Sequence, residues 1–435
     1  MIGNQCEYMF VVRKNPQLSV NEIISYLKAR GIDHYLRNYT NEYFIFEIAN
    51  FDPKKTIEQI GETLKIGIIL GKIETDYIKK AFTIQKKRMN TEMIDEILES
   101  SLKLSKEVVK HAYDANSIGV SVYPRNIDDI QFIDFNELGE VVGDVVANKL
   151  KEDAGLKRKP SIVTAKNFKY KGSADIRPID ARREKFQNKN LELLIGLGKS
   201  FSYIAVTLGI CDQDAFNKRG IYRPERPEGW IYGMAPNYAK ALVNLSEVKQ
   251  GDVLLDPFCG IGTILQEAVL NGIKIFGVDI NKECVDASRQ NLKYISKEYG
   301  LGWNNMDKRI IVGDARKLSE YFTEDSFDAI VTEPYLGPAL KMRPKHNDAK
   351  RIINELKSLY KDTLPEINEI IRPGKRAVII NPSIKSSNGS LSLNLREMAE
   401  RVNFKFLQSF LDERPHQLVS REINIFYKPN GVVEF

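Results

Sequence analysis

Over residues 6–70, apolar positions fall into strand-length runs at 6–12, 43–48 and 65–70, separated by helical spacing at 19–29 and 53–64. Alternation in Tyr43-Phe-Ile-Phe-Glu-Ile48 is imperfect, which predicts a strand buried on both faces. Asp52-Pro53 is a helix-start signal, because the acid can cap and the proline fits the first turn.

This order of strands and helices outlines a small mixed domain of ferredoxin-like type. A second group follows: a helix at 90–100, a strand at 117–123, an amphipathic helix at 135–150 around Leu138, Val141, Val142, Val145 and Leu150, and a returning strand at 161–165. The polar, basic stretch 172–189 reads as a linker. Beyond it, Gly196-Leu-Gly198-Lys199-Ser200 mimics a phosphate loop. The position where that pattern requires its first glycine is Leu193, so ATP hydrolysis is not supported. Late runs at 376–380 and 424–427 predict further strands.

From residue 253 the pattern becomes strand, tight turn, helix, strand. Val253-Leu-Leu255 ends at Asp256, a turn through Phe258, Cys259, Gly260 and Gly262 follows, 264–270 starts a helix, and 274–278 is a second strand ending in Asp279. Glycines at 260 and 262 let the backbone approach a ligand that side chains would exclude, and the next helix offers free N–H groups. Asp279 stands twenty-three residues after Asp256. An acid there, at the carboxyl end of the second strand of a doubly wound sheet, is placed to hold ribose hydroxyls. Thr263 follows the turn with no third glycine, so the dinucleotide fingerprint is not met and no dehydrogenase is implied. Gly313-Asp314-Ala315-Arg316 and Thr332-Glu333-Pro334-Tyr335 complete the series. The four signals describe a nucleotide-like cofactor site beside a slot for a planar base.

The order Asp256-Pro-Phe-Cys-Gly-Ile-Gly-Thr263, Asp279-Ile280, Asp314-Ala315 and a Pro334-Tyr335 element resembles the S-adenosylmethionine-dependent amino-methyltransferases. Upstream, Arg226-Pro227, Gly233-Met-Ala-Pro236 and Ala239-Lys-Ala-Leu-Val-Asn-Leu245 look like the lead-in helix of the archaeal and eukaryotic tRNA guanine-10 methyltransferases. The resemblance covers the second half of the chain, and the first half in outline. It implies that the turn carrying Gly260 and Gly262 wraps the methionine end of the cofactor, that Asp279 binds ribose, and that Asp314 and Ala315 meet adenine. Asp256, Phe258, Thr263 and Ile280 join the expected cofactor set. It also places a THUMP domain, an RNA-binding module, in the second group of elements.

The base slot departs from the family pattern. Such enzymes present Asp or Asn, then Pro-Pro, then an aromatic; here Thr332 and Glu333 precede Pro334 and Tyr335. An exocyclic amine is a poor nucleophile because its lone pair is shared with the ring. Acceptors that bind its N–H bonds hold the nitrogen so that the lone pair can face the methyl group, and an aromatic ring fixes the base by stacking. Glu333 either replaces the acid directly or sits one place later, with Thr332 supplying an acceptor hydroxyl. In both registers a carboxylate suits guanine, whose ring N–H and 2-amino group are adjacent donors, whereas adenine presents an acceptor beside its amine. Thr332, Glu333, Pro334 and Tyr335 are the expected catalytic residues.

Net charge is only +6, but Lys151 to Lys189 holds twelve Lys/Arg against five acids, with Phe168 and Tyr170 among them. That stretch fits either a solvated face or a surface that follows a phosphate backbone. Past the slot, Lys341, Arg343, Lys345, Lys350 and Arg351 form a second basic run. Four cysteines and four histidines lack metal or disulfide spacing, so no metal site is expected. Cys259 beside the cofactor turn is read as a small turn residue rather than a nucleophile. No run reaches membrane length, and Tyr8-Met-Phe-Val-Val12 is flanked on the wrong side by Arg13-Lys14 for a signal peptide, so a cytoplasmic protein is expected.

The expected architecture is α/β: a ferredoxin-like domain over 1–80, a THUMP-like RNA-binding domain over 81–172, a linker over 173–225, and a Rossmann-like methyltransferase domain over 226–435. The expected activity is S-adenosylmethionine-dependent methylation of the 2-amino group of a tRNA guanosine, at position 10. Action on ribosomal RNA or DNA, or RNA binding without catalysis, are the alternatives. The expected partner is tRNA, and relatives in this family can depend on a small activating subunit.

Overall fold

The computed structural model describes residues 5–82, 96–98, 100–102, 115–124, 133–153, 158–168, 175–186, 190–220, 234–302, 306–413 and 417–431. They form two compact units, one comprising the chain up to Ser19 with Ile32–Ala215, the other Val20–Gly31 with Phe216–Phe435.

The chain opens with β1 (Gln5–Val12), α1 (Pro16–Ala29), of which Val20 onward belongs to the second unit, and then β2 (His34–Tyr39), β3 (Tyr43–Ala49), α2 (Pro53–Gln59) and β4 (Thr63–Glu74) of the first. The strands lie in the order β2-β3-β1-β4, each antiparallel to its neighbours, a ferredoxin-like arrangement in which the edge strand β2 adds to the three strands read from the pattern. Tyr43, Phe44, Ile45 and Phe46 are all buried, so β3 is covered on both faces. Asp52 caps α2 by accepting from the Lys55 amide at 3.1 Å, with Pro53 in the first turn. The helix expected over 53–64 stops at Gln59, because Ile60 already has extended backbone angles and Thr63 begins β4.

β4 is longer than its apolar run suggested, and its far edge pairs with another strand. After α3 (Thr75–Phe82) come β5 (Ser117–Tyr123), α4 (Phe135–Asp153), β6 (Ser161–Thr164), α5 (Pro178–Arg183), β7 (Leu191–Gly196) and β8 (Phe201–Ile210). β8 pairs with β4, and the eight-stranded sheet continues through β7 and β5 to β6. The linker expected over 173–225 is therefore corrected. Leu191 to Gly196 is buried at every position and forms the strand between β8 and β5. The loop-like Gly196–Ser200 run is the turn of the antiparallel β7–β8 hairpin, not a strand-to-helix phosphate loop. Most of the helix expected at 90–100 lies outside the described residues.

The second unit contains α6 (Gln213–Gly220), α7 (Pro236–Leu245), β9 (Val253–Asp256), α8 (Thr263–Leu270), β10 (Lys274–Asp279), α9 (Lys282–Glu298), β11 (Ile310–Val312), β12 (Phe327–Thr332), α10 (His346–Ile370), β13 (Ile371–Ser386), β14 (Gly389–Ser392), α11 (Leu395–Glu400), β15 (Lys405–Asp412) and β16 (Val419–Tyr427). Its main sheet runs β11-β10-β9-β12-β13-β16-β15, parallel from β11 to β13 and antiparallel at β16. This is the Rossmann-like order, with the chain reversing direction across the sheet between β9 and β12. α10 buries Ile353, Leu356, Tyr360, Leu364 and Ile367 in the core that also holds Leu255, Ile330 and Ile379. No helix among the described residues is long and apolar enough to cross a membrane.

The first unit also buries a charge pair. Lys65 on β4 contacts Glu192 on β7, and both side chains are almost wholly shielded from solvent. Glu192 accepts from Ser121 on β5 at 2.7 Å and from Thr207 on β8 at 3.2 Å, while Lys65 donates to the Ile176 carbonyl at 2.5 Å. One ionic network thus spans four strands, including the β4–β8 junction that merges the two halves of the sheet. Removing one partner leaves an uncompensated buried charge, at a cost of about 3–5 kcal/mol. Lys65→Met should lower unfolding stability by that order, and Lys65→Met with Glu192→Leu should recover most of it, as read by urea denaturation. Equal losses in the single and double variants would contradict the pairing.

Candidate functional site

Parallel strands present all their carboxyl ends on one side, and the reversal between β9 and β12 opens a crevice there. The expected site residues converge on it. Asp256 ends β9, Asp279 ends β10, Thr332 ends β12, and the turn with Phe258, Gly260 and Gly262 leads from β9 into α8. Gly260 and Gly262 both have positive φ, +50° and +81°. A Cβ at Gly260 would project into open space, whereas one at Gly262 would lie 2.3 Å from the Ser288 hydroxyl. The first glycine therefore leaves room for a ligand, and the second lets α9 approach the turn.

Asp279 fixes this turn. It accepts from the Gly260 amide at 2.8 Å and from the Asn281 amide at 2.9 Å, so the second strand end and the glycine turn hold one shape. The Cys259 amide donates to the Val278 carbonyl at 2.9 Å, which adds a backbone tie. Around the start of α8, the Thr263 hydroxyl and the Gln266 amide nitrogen are buried without hydrogen-bond partners among the described residues. Further along the edge, Ile280 and Val312 are exposed apolar side chains, Ala315 is buried, and Asp314 caps a short turn by accepting from the Arg316 amide at 2.9 Å. Arg316 also pairs with Asp314 at 2.6 Å, and this contact holds the carboxyl below its ordinary range.

Cys259 is buried. Burial first, then the nearby Asp256 and Asp279 carboxylates, push its thiol well up, which removes the thiolate that a nucleophile needs. All four cysteines are free.

Between cofactor turn and base slot stands Asp256, buried to 1% exposure. Its carboxyl accepts from the Thr332 hydroxyl at 2.7 Å and from the Phe258 amide at 3.1 Å. Burial raises its pKa to about 7 despite these two hydrogen bonds, with Asp279 and Glu333 adding like charge. Thr332 is fully buried and donates its hydroxyl to Asp256. Phe258 and Pro334 line an apolar pocket with Leu359, Tyr360, Leu364 and Ile379, so Phe258 lies on the base side of the turn.

Glu333 and Tyr335 are the accessible members of the slot. Tyr335 is 58% exposed. Glu333 is about one-fifth exposed and is held by Arg421 on β16, through Nε to Oε1 and through Nη2 to Oε2 at 3.3 Å. The Arg421 guanidinium lies 5.6 Å from the Tyr238 ring centre. Burial opposes its charge, but Glu333 more than offsets that and raises its pKa. Sequence reasoning missed Arg421 and Tyr238. Arg421 lies 88 residues from Glu333, and no local motif announces it.

The lead-in helix is also anchored here. Arg219 on α6 donates to both oxygens of Glu267 on α8, at 2.7 and 3.1 Å, and Lys240 on α7 reaches Glu267 at 3.5 Å. Of the lead-in signal, Arg226, Pro227 and Gly233 lie outside the described residues. In the basic stretch of the first unit, Lys159, Arg177 and Arg182 are paired with Asp144, Asp180 and Asp212. Lys157, Lys169, Tyr170, Lys171 and Lys189 lie outside the described residues. Lys341, Arg343, Lys345 and Lys350 are exposed.

Asp256 gives the site a stability signature. Its folded pKa, about 7, lies above the unfolded value of about 3.9, so its contribution is full below pH 4 and is lost as pH rises through 7. Asp256→Asn keeps an acceptor for Thr332 without the titration. Relative to the wild type it should gain stability between about pH 4 and pH 7 and level off above. Urea denaturation across that range tests this, and a constant difference between the two proteins would contradict it.

Comparison with known proteins places the chain in a family. The model described as "RMKL-like, methyltransferase domain" matches residues 223–408, and one described as "DNA methylase" matches residues 73–290. A tRNA (guanine(10)-N2)-dimethyltransferase of Methanothermobacter thermautotrophicus is 32% identical over 46% of this chain and 61% of its own length. The chain spans between 43% and 61% of the length of three curated relatives so named. The fold is like that of TrmN from Thermus thermophilus, with a TM-score of 0.52 at 14% identity, over 97% of this chain and 99% of that one. A protein of Methanothermococcus thermolithotrophicus, named a probable tRNA (guanine(10)-N2)-dimethyltransferase, is 32% identical over 40% of this chain and 94% of its own length. With that coverage, added to the four motifs at one sheet edge, the chain belongs to the tRNA guanine-N2-methyltransferase family.

Proposed function

We propose that this chain transfers a methyl group from S-adenosylmethionine to the exocyclic 2-amino group of a guanosine in tRNA, at position 10. The observation that carries the reading is the partly accessible Glu333 carboxylate, fixed by Arg421 at the end of β12 with the exposed Tyr335 ring two residues on. A carboxylate that only accepts hydrogen bonds complements the adjacent N–H donors of guanine.

The residues present fit the cofactor. The open space at Gly260 and the partnerless Thr263 hydroxyl suit the methionine end, and Asp279 keeps lone pairs for ribose hydroxyls beyond those used by the turn amides. Ile280, Ala315 and Asp314 would flank adenine with two apolar surfaces and one acceptor. When bound, S-adenosylmethionine supplies an electrophilic methyl group on a positively charged sulfur. Arg421 takes the paired edge of Glu333, so an outer lone pair of the carboxylate accepts from the guanine 2-amino group and turns the nitrogen lone pair toward that methyl. Tyr335 stacks on the base, and the apolar pocket beneath Pro334 and Phe258 keeps water out of the line of transfer. We assign Thr332 and Asp256 to positioning, because both are buried and bonded to each other.

In this reading residues 1–80 and 81–172 form the RNA-gripping part, with 81–172 THUMP-like, and 226–435 the catalytic part of a cytoplasmic protein. The partner is tRNA, and a small activating subunit is a second candidate partner. Labelled methyl transfer to unmodified tRNA, with duplex DNA and ribosomal RNA in parallel and nucleoside analysis of the product, tests the proposal. N2-methylguanosine or N2,N2-dimethylguanosine in tRNA is expected. Glu333→Gln should lower turnover about 100-fold with cofactor affinity little changed. Methyl transfer to DNA alone, or full turnover by the variant, would overturn the assignment.

A further inference from the structure

The chain that leaves the slot is irregular but tied down. Between Tyr335 and α10, residues 336–345 form neither helix nor strand, yet three contacts fix their course. Gly337 turns at φ +101° so close to α10 that a Cβ there would lie 3.2 Å from the Ile352 side chain. Leu340 packs against the core that α10 covers, and the Pro344 carbonyl accepts from the Ser387 amide at 3.0 Å. What these anchors leave outside is the tip, Lys341-Met342-Arg343, exposed at all three positions.

Two features set this tip apart from the rest of the surface. The first is charge that no acid offsets. Several exposed cations elsewhere in the second unit contact an acid three or four residues away: Lys282 with Asp286, Arg351 with Asp348, Arg396 with Glu400 and Arg401 with Glu397. Among the described residues, Lys341, Arg343, Lys345 and Lys350 make no such pair. The second is Met342, which at 78% is the most exposed of the described large hydrophobic side chains. A scattered apolar side chain on a surface is ordinary. One held between two unpaired cations, on a fixed loop seven residues beyond the Tyr335 ring, matches a nucleic acid, which presents phosphates at its edges and apolar base faces between them.

A base must leave its helix to reach Glu333, which is only about one-fifth exposed, and it leaves a gap in the stack. An apolar side chain entering that gap replaces lost stacking contact and keeps the nucleotide out. Methionine suits the task, because its unbranched thioether adapts to the surfaces around it. Seven residues of chain span at most about 25 Å, so the tip stays beside an RNA whose base occupies the slot.

We propose that the 341–343 tip is an RNA wedge: Met342 enters the stack vacated by the extruded guanosine, while Lys341 and Arg343 hold the phosphates on either side. The proposal rests on the guanine-methylating function proposed above. It gives Met342 a part in extruding the base and none in the transfer itself.

The test uses the full chain with tRNA transcripts in which the methylated guanosine either keeps its Watson–Crick partner or faces a mismatch. Met342→Ala should lower kcat/KM about tenfold on the paired target and less than about twofold on the mismatched one, because a base already loosened needs no wedge. Cofactor affinity should not change. Met342→Leu, similar in volume, should restore most of the loss on the paired target. Lys341→Gln with Arg343→Gln should flatten the fall of log binding constant with log salt concentration by about 0.7–0.9 for each lost cation. An active wild type whose Met342→Ala variant loses equally on both targets, or on neither, overturns this proposal alone, as does a double variant with the wild-type salt slope. A wild type inactive on every RNA overturns it together with the function on which it rests.

Discussion

A single hydrogen bond, from the buried Thr332 hydroxyl to the buried Asp256 carboxyl at 2.7 Å, joins the ends of the two strands that flank the reversal of the sheet. In the proposed function Asp256 begins the cofactor turn and Thr332 the base slot, so this bond, added to the backbone pairing of β9 with β12, ties together the two sides of the site. Alignment matters more here than acid or base strength, because the methyl group already carries its driving force in the sulfonium. The Phe258 amide also donates to Asp256, so a shift at either strand end would be felt in the turn.

The slot then divides its two acids by environment. Asp256 is buried, pushed up to about 7, and used by neighbouring groups as an anchor. Glu333 is partly open and is paired with an arginine. Environments that separate two carboxyl groups in this way separate their roles. Thr332 and Glu333 stand where the family pattern is expected to have an acid or amide and a proline, and the proposed function gives the task of the first to the accessible second residue, held by Arg421.

Signals that are local in sequence were legible. β9, the glycine turn, α8 and Asp279 lie within one strand-turn-helix-strand unit, where apolar runs and glycine placement report the backbone directly. β1, β3 and β4 of the first unit were readable for the same reason, whereas β2, a polar and mostly exposed edge strand, was not. What was not readable is non-local. Leu191 to Gly196 looked like part of a connection because β7 is short and its partners, β5 and β8, cannot be inferred from spacing. The far edge of β4 pairs with β8 across more than a hundred intervening residues, and Lys65 gave no hint that Glu192 would meet it. Arg421 was hidden similarly: a charge in a late strand has many solvated explanations until the fold brings β16 beside the slot.

The claim on which the account turns is that the methyl group goes to a guanine 2-amino nitrogen presented at this slot. Inosine is guanosine without that amine, so transcripts of one tRNA with inosine at single guanosine positions test it most directly, with methylated nucleosides read by mass spectrometry. The account predicts that replacement at one position abolishes the methylated product while replacement elsewhere leaves it intact; a product that persists with inosine at every guanosine would contradict it.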